Sequence, residues 1–199
     1  YAVDEQNPHR RESIARLVAG LGMSGMLRFV HLGSLRTRPD GGIEGCVLSN
    51  EFFDSLPTHR VVVREGGLRE IYVTFDGGYF RDELGELSTP ALSHHFQRLR
   101  VELPEGYTTE VNLEAVDTME RVGRVLRKGF AVTIDYGYEA RELYGAGHPR
   151  GTLMCYHRHR AHEDPYMNVG EQDVTAHVDF TSLVGAGETA GLLPLCLTT

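Results

Sequence analysis

Two apolar runs constrain this chain most. Cys46–Leu48 ends in Ser49-Asn50-Glu51, and Phe130–Ile134 runs straight into Asp135-Tyr136-Gly137. Short, continuous apolarity of this kind suits a strand covered on both faces, as in a parallel sheet. The first run belongs to the stretch VLSNEFFDSLP, Val47–Pro57. It reads as a buried strand that delivers Asn50 and Glu51 to the working edge of an α/β domain.

The rest of the chain alternates in the same sense. Tyr1–Val3 reads as a short strand, and Ile14, Leu17, Val18 and Leu21 fall at helical spacing before Gly22–Gly25. Leu27–His31 reads as a second strand. Helical spacing returns at Val111, Ala115, Met119, Val122 and Leu126, with Lys128-Gly129 as its end. A strand over Val174–Phe180, a helix over Ser182–Ala190 and a last strand over Leu192–Leu197 complete an α/β pattern. Residues 59–109 depart from it. Arg60–Arg64, Leu68–Phe75 and Tyr79–Phe80 are β-rich pieces separated by Glu-Gly-Gly and Asp-Gly-Gly, the signals of antiparallel hairpins. This is expected to be a β-rich insertion, and residues 139–170 a loop.

Composition narrows the function. With 199 residues, 41% hydrophobic and 24% charged, the chain has the makings of one globular domain carrying an insertion. No apolar run approaches a membrane span. A net charge of −8 argues against general nucleic-acid binding and suits a basic partner. Cys46, Cys155 and Cys196 fit no metal spacing and read as small buried hydrophobes. The chain opens on Tyr-Ala-Val and closes on Leu-Thr-Thr, which is expected of a piece of a longer protein.

In open α/β sheets ligands gather beyond the carboxyl ends of the strands. Four acids follow strand ends here: Glu5, Glu51, Asp135 and Asp179. Any one of them alone reads equally as a helix cap. Glu5 sits where a doubly wound fold places the acid that takes two ribose hydroxyls. Asn50-Glu51 offers a donor, an acceptor and a carboxylate able to grip a cation, against the plainer reading of a chain turn and a dipole-favouring acid. In Gly170–Phe180 the row Asp173, Thr175, His177 and Asp179 alternates with apolar residues, and marks either an exposed face or a lined cleft. His157, His159 and His162 invite a metal reading with His177, but Arg158 and Arg160 interleave them, and solvated loop histidines are the plainer account. There is no Walker motif, the glycines of Gly185–Gly191 follow no strand directly, and Ser49, Ser55 and Ser93 lack a nucleophile-elbow context.

Taken together, the blocks YAVDEQNP, SNEFFDSLP, TEVN, TIDYGY, GTLMCYHRHR and GEQDVTAHVDFTSL resemble, in order along the whole chain, the MidA-type S-adenosylmethionine-dependent methyltransferases. That family includes the mitochondrial protein arginine methyltransferase of complex I assembly. The resemblance implies a class I methyltransferase (Rossmann-like) fold, a mostly parallel sheet with a β-rich insertion. It also implies that residues 1–199 begin at the second strand, so that the first strand and its glycine-rich loop precede Tyr1. S-adenosylmethionine is then the cofactor, with Glu5 on its ribose, Ser34 and Leu35 beside its adenine and Asn50 at its amino-acid end. Glu51 is implied to hold a substrate guanidinium, assisted by Asp173 or His177. The partner would be a protein with a basic, arginine-bearing segment, and the location cytoplasmic in a bacterium or the mitochondrial matrix in a eukaryote. Two rivals stand beside this: a metal-dependent hydrolase using His157, His159 and His177, and a non-catalytic interaction module. The 199 residues alone are expected to be marginally stable, poor at binding the cofactor and inactive.

Overall fold

The computed structural model describes residues 2–3, 8–26, 28–29 and 42–198. In chain order, β1 (Ala2–Val3), α1 (Pro8–Gly20) and β2 (Arg28–Phe29) form a first unit in which β1 and β2 pair in parallel. Then come β3 (Ile43–Asn50), β4 (His59–Arg64), β5 (Gly67–Asp76), β6 (Tyr79–Gly85) and α2 (Ala91–Leu99). They are followed by β7 (Thr108–Val111), α3 (Leu113–Val125), β8 (Leu126–Ile134), β9 (Gly137–Tyr138) and α4 (Ala140–Leu143). The chain finishes with β10 (Met154–His157), β11 (Arg160–His162), β12 (Asp173–Thr175), β13 (Val178–Asp179) and α5 (Phe180–Thr189).

The two apolar runs pair with each other. β3 and β8 lie side by side in parallel, with Cys46 opposite Phe130 and Asn50 opposite Ile134. Their carboxyl ends are therefore level. Behind them α3 packs on α5 through Ala115, Met119, Val122, Leu183 and Ala186, with Phe53 and Val178 in the same core. The two helices come close because residue 123 is glycine: a Cβ there would stand 2.5 Å from that of Ala190. Asn112 starts α3, its side-chain oxygen accepting from the Ala115 N–H, a cap worth about 1 kcal/mol.

Residues 59–111 make a four-stranded antiparallel sheet in the order β6-β5-β4-β7. Its hairpins turn on Glu65-Gly66 and Gly77-Gly78, all four residues at positive φ, as tight turns between right-twisted strands require. One face of this sheet (Val61, Leu68, Val111) buries itself against Leu92 and Phe96 of α2 and against Ala140, Leu143 and Tyr144 at α4.

Several expectations are corrected. Val47–Pro57 is not one buried strand: β3 stops at Asn50, residues 51–57 turn, and β3 and β8 expose apolar side chains such as Leu48 (66%) and Phe130 (61%). The reason is that each has a single ladder partner, and helices cover only one face of the pair, among the described residues. The helix before β8 ends at Val125, not at Lys128-Gly129, because Leu126 already enters the ladder. Leu192–Leu197 forms no strand, having no ladder partner among the described residues. The loop over 139–170 instead holds α4, β10 and β11, and α2 arises within the insertion. Of the cysteines only Cys155 is buried; Cys46 and Cys196 are exposed thiols, on the uncovered β3 and the open C-terminal stretch. Val174–Phe180 is also broken. β12 pairs with β10 in one sheet and β13 with β9 in another, so Asp173, His177 and Asp179 do not form a single row.

Candidate active site

Where β3 and β8 end together, the chain makes its most heavily tied turn. The Glu51 N–H donates to the Ile134 carbonyl at 2.9 Å, continuing the ladder by one step, and Glu51 then adopts φ 45°. Left-handed backbone at a non-glycine residue costs roughly 1 kcal/mol and persists only where its surroundings hold it. Asp135, the first residue beyond β8, does the holding. Its Oδ2 accepts from the Phe52 and Phe53 N–H groups at 3.1 and 2.9 Å, and its Oδ1 from the Tyr136 N–H at 2.9 Å. Asn112 Nδ2 donates to the Phe53 carbonyl, and the Ala176 N–H donates to the Asp54 carbonyl. The turn is thus pinned by β8, by the start of α3 and by the segment between β12 and β13. What it leaves free is the pair Asn50 and Glu51, both exposed.

Beneath Glu51 lies Asp54, 6% exposed, whose Oδ1 has no protein partner. Burial pushes its carboxyl up, and the charges of Asp135 and Glu51 push further in the same direction, to about 6. Three carboxylates therefore share one turn, with one buried acceptor oxygen unused. Such an arrangement is suited to a cation with several N–H donors.

A second cluster adjoins the first. Glu110 at the end of β7 is buried, and its carboxylate accepts from the Thr152 N–H at 2.8 Å. Gly151 is required here: at φ +79° a Cβ would meet the Glu110 oxygens at 2.4 Å. The Thr152 hydroxyl oxygen in turn accepts from the His177 N–H at 2.9 Å. Burial raises Glu110 from its ordinary value and, with His148 nearby, lowers His177. His95 Nε2 lies 2.9 Å from the Tyr144 hydroxyl and 3.5 Å from Asp179 Oδ2, and burial pushes His95 down to about 4, so its ring is neutral at pH 7. These groups border a cavity of about 20 Å³, the room one water needs.

The sequence-derived candidates are distributed as follows. Glu51 and Asn50 stand on the tied turn. His177 sits beside Tyr138 and His148, with ring centroids 5.3 and 6.3 Å away, and Asp173 is exposed on β12. No hydrogen bond or ion pair joins either of them to Glu51 among the described residues. Glu5, Ser34 and Leu35 lie outside the described residues. Asp179 caps α5, accepting from the Ser182 N–H at 3.0 Å and the Ser182 hydroxyl at 2.5 Å, which a strand-end acid before a helix would also do as a plain cap. The metal constellation is not assembled. His157 Nδ1 contacts the Glu171 carbonyl, His177 is elsewhere, and no three potential ligands converge among the described residues. Asp135 stands, as the sequence has it, directly after an apolar run, whereas Asp54 and Glu110 are site residues that the sequence pattern did not single out.

Residues 1–197 match the family described as S-adenosyl-L-methionine-dependent methyltransferases. The chain is 30% identical over 204 residues to the mitochondrial "Protein arginine methyltransferase NDUFAF7 homolog" of Drosophila melanogaster, covering 97% of this chain and 41% of that protein. It is 28% identical over 149 residues to mitochondrial "Protein arginine methyltransferase NDUFAF7" of Xenopus tropicalis, covering 73% and 33%. A Burkholderia thailandensis protein solved with S-adenosyl-homocysteine superposes at TM-score 0.82 with 33% identity, covering 96% of this chain and 48% of that one. The chain thus spans less than half the length of these relatives. No helix among the described residues is long and apolar enough to cross a membrane. The chain has the α/β fold of, and belongs to, the S-adenosyl-L-methionine-dependent methyltransferase family, whose cofactor is S-adenosylmethionine.

Proposed function

We propose that this chain is part of a protein arginine methyltransferase in which the β3–β8 turn presents Glu51 to a substrate guanidinium. One observation carries the reading: Glu51 is locked in left-handed backbone by Asp135, with its side chain free and a buried, unpartnered Asp54 oxygen at its foot. A planar guanidinium offers five donors in a fixed fork, and two carboxylates on one rigid turn fix both its position and its plane. The names of the curated relatives support the same substrate class.

The residues present fit the cofactor at this edge. Asn50 is exposed at the end of β3, with an amide that can serve its amino-acid end, and the adjoining carboxylates favour a cationic centre. Glu5 is assigned to the ribose, and Ser34 and Leu35 to the adenine. When bound, S-adenosylmethionine supplies an electrophilic methyl group. The protein's own contribution is placement and charge: Glu51 holds one edge of the guanidinium and aims the attacking nitrogen. Methylation of a guanidinium releases one proton, and Asp54, raised to about 6, is assigned as the carboxylate that takes it up from the turn. His177 and Asp173 are assigned to the substrate's flank. His177 follows the residue whose N–H bonds Asp54, and β12 leads into it.

In the full-length protein, Glu51→Gln is expected to lower methyl transfer to an arginine peptide by about 100-fold or more, with thermal stability and cofactor affinity unchanged. Steady-state transfer assays beside calorimetry check this. Turnover within a few-fold of wild type would remove Glu51 from the mechanism.

A further inference from the structure

The β5–β6 hairpin is amphipathic, and its apolar face is the uncovered one. Ladder partners share a face, so Ile71 with Leu84 and Phe75 with Phe80 stand on one side together with Val73. Tyr72, Thr74, Arg81 and Glu83 stand on the other, which further along the sheet carries the packed residues Val61 and Leu68. Val73, Phe75 and Leu84 are 58%, 63% and 53% exposed. Exposed apolar strips of this kind, rimmed by polar groups, mark interaction sites.

Charge says what the strip would accept. The Phe80 ring stacks on Tyr166 at 6.1 Å, and the Tyr166 hydroxyl donates to Asp82 at 2.5 Å, which fixes the 163–173 loop at the edge of the strip. Of the acids on the two hairpin strands Asp82 stands on the side of the strip and Glu70, Asp76 and Glu83 on the other, while residues 163–173 carry four carboxylates and no lysine or arginine. Both arginines of the hairpin are already engaged, Arg69 with Glu86 and Arg81 with Asp76. The 163–173 loop, held against Phe80, thus brings its carboxylates beside exposed Phe75 and Phe80, whose ring faces attract guanidinium groups. The strip is also wired to the candidate site: Asp82 pairs with Arg60 at 2.7 Å, Arg60 stands opposite Glu110 in the ladder, and Glu110 holds the Thr152 turn that holds His177.

We propose that this strip is the docking surface for an extended basic segment of the protein substrate. Apolar side chains of that segment lie over Val73, Phe75 and Leu84, and its arginines face the aromatic rings and the 163–173 carboxylates. The inference rests on the arginine reading above and adds where the substrate is held outside the reacting centre.

The test uses the full-length protein and a labelled synthetic peptide of about twelve residues built from Gly, Arg and Leu, with an otherwise identical peptide carrying Glu for Arg. In the Glu51→Gln background, where no transfer is needed, fluorescence anisotropy should show binding of the arginine peptide alone, weakened by salt. Adding Val73→Ser, Phe75→Ser and Leu84→Ser should weaken it about tenfold. With Glu51 intact, the same triple substitution should raise KM by about tenfold and leave kcat within about twofold. Cofactor binding and oligomeric state should not change. Equal binding by both proteins overturns the docking surface alone, and transfer to the peptide would then leave the arginine reading standing. Docking at the strip without transfer to any arginine would sink that reading and keep the strip. A shift in oligomeric state shows that the strip faces a second copy, and loss of cofactor binding shows that the protein's own remaining chain covers it; either result overturns the proposal.

Discussion

The insertion sheet and the β3–β8 pair solve the burial problem in opposite ways. In the insertion, β4 and β7 press Val61 and Val111, each 0% exposed, against α2 and α4, so this face of the sheet is closed within the described chain, and only the β5–β6 strip on its other face stays open. The β3–β8 pair is the more apolar in sequence, yet Leu48, Phe130, Val132 and Ile134 remain open to solvent on it. Apolarity therefore does not decide which strands are covered; the available partners do. The insertion has its helices on the same stretch of chain, whereas the covered face of the β3–β8 pair depends on α3 and α5 and its other face on nothing among the described residues. The rigid, self-contained region lies beside the candidate site, and the half-covered region carries it.

This contrast can be broken by truncation. Leu92→Ala, in the closed core, should destabilise the full-length protein by about 3 kcal/mol, while the same change at an exposed apolar residue costs about 0.5 kcal/mol or less. Denaturant unfolding of Leu92→Ala beside Leu48→Ala tests it. A large loss at Leu48 would mean that the full-length protein closes the β3 face tightly.

A smaller effect is expected where the two regions meet. Gly151→Ala forces a side chain into φ +79° and against the Glu110 carboxylate, at a cost of about 2 kcal/mol. Hydrogen exchange should show faster opening at Thr152 and His177, with the β4–β5 ladder unaffected.

The smallest is a pH effect at Asp54. Its carboxyl is raised in the folded state to about 6 from 3.8, so between these values the folded protein holds the extra proton. Stability contributed by this group is present below pH 4 and lost as pH rises through 6. Asp54→Asn should flatten that slope and stabilise the substrate-free protein above pH 6 by about 1 kcal/mol. Melting temperatures across pH 4–8 read it directly.

How much was legible in the sequence varied with the range of the interactions. The hairpins of residues 59–85 announced themselves because Glu65-Gly66-Gly67 and Asp76-Gly77-Gly78 act over a few residues. α2 was not visible: it has nine residues, begins behind Pro90 without a side-chain cap, and owes its place to Leu92 and Phe96 packing on a distant sheet. The polar row over residues 173–179 looked continuous because alternation is a local signal. Backbone bonds from Ala176 to Asp54 and from His177 to Thr152 break it, and both partners are far away in sequence. Glu51 was legible as an acid after an apolar run. The task of Asp135 was not, since it accepts from residues more than eighty positions earlier and needs β3 and β8 to be paired first.

The central claim is that Asp135 matters to transfer because it holds Glu51. A double-mutant cycle in the full-length protein, reading kcat for an arginine peptide, tests it most directly. Asp135→Asn should lower kcat by about tenfold or more in the wild-type background and have almost no further effect in the Glu51→Gln background. Equal losses in both backgrounds would show that the two residues act independently, and would contradict the account.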